Sequence, residues 1–65
     1  MAKHNVGDFI RVLPKRYFKV LKVDRRNYVL QASDGNIEYT WSITDVDEYS
    51  ENLGNNFRVI ELLYG

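Results

Sequence analysis

The clearest pattern in the chain is an alternation over residues 37–43. Ile37, Tyr39, Trp41 and Ile43 fall on one side, and Glu38, Thr40 and Ser42 on the other. Successive side chains of a pleated strand point to opposite faces, so this segment predicts a strand with one buried and one wet face. Asp8 to Leu13 predicts an earlier strand with Ile10 and Val12 on one face, ended by Pro14, which cannot donate to a ladder. Tyr17 to Asp24, rich in Val, Phe and Tyr, predicts a second strand. The polar link Asp24-Arg25-Arg26-Asn27 then predicts an antiparallel return over Asn27 to Ser33. Ser33-Asp34-Gly35-Asn36 follows as a hairpin turn in which Gly35 is expected to take positive φ.

After Ile43 the period changes. Thr44 is the expected N-cap, and Asp45, Asp47 and Glu48 fill the first turn, where acids favour the helix dipole. Val46, Tyr49 and Leu53 recur at helical spacing, and Gly54 stands where a C-terminal cap belongs. A short helix, α or looser 3₁₀, is therefore expected over 44–53. Asn55-Asn56 leads to a final expected strand, Phe57 to Tyr64, apolar on both faces.

A chain of 65 residues makes one domain, here 1–65, with 1–5 and 65 expected to fray. Five strands and one helical turn in so short a chain predict a bent sheet curled into a small barrel, which removes exposed edges. Val6-Gly7-Asp8 leading into Ile10-x-Val12, then Val20, Tyr28-x-Leu30, Asp34-Gly35 and Ile43-x-Asp45-Val46, resembles small SH3-like β-barrel domains of the Tudor and KOW kind. The resemblance covers roughly residues 6–64. It implies a mainly β protein, a five-stranded SH3-like barrel with one short helical turn before the last strand. It carries fold rather than function, because its motifs are short.

The formal net charge is zero, but the charges are sorted. Residues 1–26 hold eight basic side chains against two acidic ones, and residues 27–65 hold one against seven. Basic strands packed beside acidic ones account for this; an interaction surface is the alternative.

Little in the chain promises catalysis. With no cysteine there is no disulfide framework and no thiolate ligand. The one histidine, His4, is expected to be solvated in a mobile tail. The four glycines are isolated, which excludes a phosphate loop of the glycine-rich kind. Asp45-x-Asp47-Glu48 has Ser50 where a calcium loop needs glycine, so helix capping explains the acids better. No catalytic residue, metal site or cofactor is expected. The apolar runs are too short to span a bilayer, and the opening residues lack a signal-peptide core, so no membrane is expected and the location reads as cytoplasmic.

Binding remains. Nine aromatic residues exceed what so small a core needs, so some are expected to face a partner. Tyr39 and Trp41 share a face with Ile37 and Ile43 and are expected in the core, although a Tudor-type cage for a methylated cation is an alternative use of such rings. Tyr17, Phe18, Tyr28 and Tyr49 are expected on an open, partner-binding surface. The alternative is nucleic-acid binding, as in KOW-like domains, through Arg11, Lys15, Arg16, Lys19, Lys22, Arg25 and Arg26 interleaved with aromatics. Self-association through the apolar last strand, or basic face to acidic face, is a third use. Neutral charge and surplus aromatics favour a non-enzymatic protein-interaction module or accessory factor over a phosphate binder.

Overall fold

A computed structural model describes residues 2–13, 15–32, 35 and 37–55. They form strands β1 (Phe9–Val12), β2 (Arg16–Val23), β3 (Asn27–Ala32) and β4 (Glu38–Ser42), helix α1 (Ile43–Tyr49), and strand β5 (Ser50–Gly54). Among the described residues the protein is mainly β: one five-stranded antiparallel sheet in the order β4-β3-β2-β1-β5, with one short helix. Among the described residues no helix is long and apolar enough to cross a membrane.

The first four strands lie where alternation and turn residues predict them. Cross-strand partners share a face, so the register sorts every side chain. Ile10 faces Phe18, Phe18 faces Ala32, Val20 faces Leu30, Val23 faces Tyr28, and Tyr28 faces Trp41. This inner face carries the core of Ile10, Val12, Phe18, Val20, Tyr28, Leu30 and Ala32, closed by Val46 of α1. The outer face carries Arg11 opposite Tyr17, Lys19 opposite Gln31, and Lys22 opposite Val29.

Strict alternation from Phe18 and Val20 would turn Lys22 into the core. The β2–β3 register shifts between Val20 and Lys22, leaving Leu21 as an extra residue. That bulge returns Lys22 to solvent and brings Val23 inward against Tyr28, which avoids burying an unpaired ammonium.

Three sequence expectations change. The helix ends at Tyr49 rather than near Leu53, and the segment expected to finish it is strand β5. Ser50, Glu51 and Asn52 pair with Val12, Arg11 and Ile10, and those bonds outweigh the weak propensity of a two-turn helix. Thr44 is inside the helix; Ser42 holds the N-cap position and makes no side-chain capping bond. Gly54 does adopt positive φ, +77°, but at the end of a strand.

Gly35 also departs from expectation, because positive φ occurs at Gly7 and Gly54 and not at Gly35. The hairpin itself forms, but through a wider connection than a two-residue turn. The Gly35 N–H reaches the Ala32 carbonyl at 3.4 Å and the Ala32 N–H donates to Ile37 at 3.2 Å. At the fourth position of a turn glycine needs no left-handed backbone. The expected strand 57–64 lies outside the described residues, as do Ser33, Asp34 and Asn36 of the turn.

Candidate functional site

β4 brings aromatic side chains to one side of the sheet. Tyr39 and Trp41 point to the inner face, as their alternation predicts, yet Tyr39 is 37% exposed and Trp41 only half-buried against the core. Among the described residues β4 has a neighbouring strand on one side only, β3. Phe18 meets both rings edge-to-face, with centroids 5.9 Å from Tyr39 and 6.2 Å from Trp41. The guanidinium of Arg16 lies over Phe18 at 5.2 Å and over Tyr39 at 5.7 Å, within cation–π range. A cation-bearing aromatic surface results, built from one end of β2 and the middle of β4.

Two of the four aromatics expected to be open are core residues. Phe18 is 1% and Tyr28 0% exposed, because both stand on the inner face of central strands. Tyr17 is half-buried on the outer face opposite Arg11. Tyr49 is 55% exposed at the end of α1, where its carbonyl accepts from the N–H of the exposed Leu13 at 2.9 Å. Of the four, Tyr17 and Tyr49 keep exposed surface.

The seven basic residues are also divided. Arg11, Lys19 and Lys22 share the outer face, whereas Arg16 stands on the inner one. Arg11 is paired with Glu51 across the β1–β5 ladder, and Lys22 reaches Asp24 at 3.5 Å. Lys19 lies over the Phe9 ring at 5.9 Å. Lys15 is exposed beyond the β1–β2 corner, and Arg25 and Arg26 are exposed in the β2–β3 link.

The densest polar cluster is one the sequence concealed. His4, expected in a solvated tail, is 0% exposed and held on both ring nitrogens. Its Nε2 lies 2.7 Å from Ser50 Oγ, and the Asn52 amide donates to its Nδ1 at 3.0 Å. Its backbone N–H donates to the Tyr28 oxygen at 3.1 Å, and the Tyr28 O–H donates to Asp47 Oδ1 at 2.5 Å. The Lys3 N–H donates to Asp47 Oδ2 at 3.0 Å, and the Lys3 ammonium donates to the Ser50 carbonyl at 2.6 Å. The arm of residues 2–8 is thereby strapped across α1, β3 and β5. One signal pointed there: Ser50 and Asn52 are polar at alternate positions, and two polar groups on a core-facing strand side require partners.

Burial holds His4 below its ordinary pKa of 6.5; Asp47 and Asp8 oppose that shift and Lys3 adds to it. Burial and the bond to Asp47 push the Tyr28 hydroxyl up to about 12.

A serine 2.7 Å from a histidine has the outline of a nucleophile and its base. The rest of the geometry works against that chemistry. Nδ1 accepts a hydrogen bond, so no carboxylate there stabilises an imidazolium, and Ser50 is itself buried. Within the cluster the pair fastens the arm of residues 2–8 to β5. Among the described residues no group of three or more His, Asp or Glu side chains is disposed to hold a metal. Compared with protein-family models, with curated proteins and with solved structures, the chain matches none.

Proposed function

We propose that the protein is a non-catalytic binding module for another protein, with Arg16, Tyr39 and Trp41 as its contact surface. One observation carries this: an arginine whose guanidinium lies 5.7 Å from the ring of a partly exposed tyrosine, with a half-buried tryptophan on the same strand. Arginine, tyrosine and tryptophan are the residues enriched where protein interfaces concentrate their energy, and a pre-stacked side chain loses little entropy on binding. An SH3-like fold is consistent with this use. A short helix after β4 supports an SH3-like reading.

Nucleic-acid binding is the weaker alternative, because the basic residues do not form one phosphate-facing patch. Arg11 and Lys22 have acidic partners and Arg16 faces away from Lys19.

The test has two arms. Titration with single- and double-stranded oligonucleotides across salt, followed through the one tryptophan, is expected to give no binding at low salt. Steeply salt-dependent binding would replace this proposal with the alternative. Peptides selected on the wild-type protein are expected to lose about tenfold or more in affinity on Arg16→Ala or Tyr39→Ala, as at an interface hot spot. Unchanged affinity for both variants would move the contact surface elsewhere.

A further inference from the structure

We infer that residues 2–4 form a proton-released latch: a second proton on the His4 ring detaches them from α1, β3 and β5 while the sheet stays paired.

The turn that follows the latch sets its boundary. The Asp8 N–H donates to the Asn5 carbonyl at 3.0 Å, and the Asn5 N–H donates to Asp8 Oδ2 at 3.0 Å. This closed turn is tied to β2, because the Gly7 N–H donates to the Val20 carbonyl and the Val20 N–H to the Asp8 carbonyl, both at 2.9 Å. Residues 5–8 therefore stay with the sheet. Residues 2–4 are held by bonds that each involve a side chain. Lys3 binds Asp47 and the Ser50 carbonyl, His4 binds Tyr28, Ser50 and Asn52, and Ala2 rests against the core. Attachments of this kind open locally at less cost than a central ladder.

The buried ring at the centre of these contacts has room for one proton. The Gly54 N–H occupies the Asn52 side-chain oxygen at 2.6 Å, so Asn52 offers its NH₂ group to Nδ1. The ring hydrogen lies on Nε2, toward Ser50 Oγ. A second hydrogen would meet the Asn52 amide hydrogens where no water reaches the ring. Three charged groups face His4 among the described residues. Asp47 of α1 has Oδ1 3.9 Å from Nε2, beyond hydrogen-bond reach, and already accepts from the Tyr28 hydroxyl of β3 and the Lys3 N–H. Asp8 already accepts from Asn5 and from Asn52 of β5, and Lys3 repels a charged ring. Burial outweighs the two carboxylates and keeps the latched ring below 6.5, whereas a released ring returns to that value in water. The latch is therefore fully favoured above about 6.5 and weakens as pH falls through the lowered value. Its release frees the Tyr28 hydroxyl, Asp47 Oδ2 and Ser50 Oγ from the arm together.

Amide hydrogen exchange, followed by NMR from neutral pH downward until the His4 ring has titrated, tests the latch. The Lys3 and His4 amides are the reporters, because their acceptors are Asp47 and Tyr28. After correction for intrinsic rates, their protection is expected to fall about tenfold for each pH unit below about 6.5, until the latched ring is itself protonated. The Val20 amide, bonded to Asp8, is expected to keep its protection. In His4→Gln the Lys3 amide is expected to lose this pH dependence. Asn52→Asp sets a carboxylate against Nδ1, so the ring pKa is expected to rise and acid to tighten the arm instead of releasing it. Structural damage alone would not reverse that sign. Four results would overturn the latch: Lys3 and His4 protection that holds while the ring titrates, a parallel loss at Val20, an unchanged pH dependence in His4→Gln, or acid release in Asn52→Asp.

Discussion

Asn52 decides which nitrogen of His4 carries the proton. Its side-chain oxygen accepts from the Gly54 N–H at 2.6 Å, which turns its NH₂ group toward Nδ1 of His4 at 3.0 Å and Oδ2 of Asp8 at 2.9 Å. Nδ1 is therefore an acceptor, and the neutral ring bears its hydrogen on Nε2, facing Ser50 Oγ. A second proton on the ring would point at the Asn52 amide hydrogens.

Acid should loosen the fold through this ring. The folded-state pKa of His4 lies below 6.5, so the folded chain binds fewer protons than the unfolded one as pH falls. The His4 contribution is complete above about 6.5 and is lost as pH drops from there through the lowered folded value. The urea midpoint should fall between pH 7.5 and pH 5.5, and His4→Gln should remove most of that slope. A midpoint equally pH-dependent in His4→Gln would show that another group is responsible.

Tyr28 links the same arm to α1 through Asp47. Tyr28→Phe keeps the ring in the core but leaves the Asp47 carboxylate and the His4 N–H without their shared partner. The expected cost is about 1–3 kcal/mol by chemical denaturation. In the wild type one of five tyrosines should resist ionisation until about pH 12, read from phenolate absorbance. Stability tied to this hydroxyl is lost as pH climbs from about 10 through 12, the reverse of the histidine effect. Absence of any phenolate step near pH 12 would contradict the buried bond.

Two glycines should respond oppositely to a methyl group. Gly7 holds φ at +92°, and an alanine there costs about 1–2 kcal/mol of backbone strain. Gly35 lacks a left-handed backbone and has open space where a Cβ would stand, so Gly35→Ala should be near neutral or slightly stabilising. Melting temperatures that fall equally for both variants would refute the assignment.

The aromatic residues of the Arg16 surface should divide by depth. Phe18→Ala empties the core and is expected to cost about 3–5 kcal/mol. Tyr39→Ala, more than a third exposed at the sheet flank, should cost well under half of that. If denaturation gives Tyr39→Ala the larger loss, Tyr39 is not the surface residue described.

Much of the sheet was legible because alternation is a local signal. Residues 37–43 announced which side of β4 faces inward, although Ile37 at their start is 63% exposed, and Ile10 and Val12 met in the core on one face as their pattern implied. Non-local effects were not legible. Period 2 run through Leu21 points Lys22 the wrong way, and only the pairing with β3 shows the extra residue. Phe18 and Tyr28 read as surplus aromatics because exposure depends on whether a strand is central, which strand order decides. The helix over 44–53 was cut short by partners on β1 that helical spacing cannot reveal. His4 was hidden for the same reason: its ring partners lie 46 and 48 residues away.

That distance has a kinetic meaning. Closing a flexible loop of about 46 residues costs roughly 3 kcal/mol of chain entropy beyond a constant, so the Lys3–His4 strap is among the most expensive contacts to form early. It should be tied after the sheet has condensed, leaving refolding rates of strap variants nearly unchanged while their unfolding accelerates. On the ribosome the strap cannot close until Asn52 has left the exit tunnel. Until then the Tyr28 ring lacks the fastened His4 ring beside it, and the nascent chain depends on whatever else shields it.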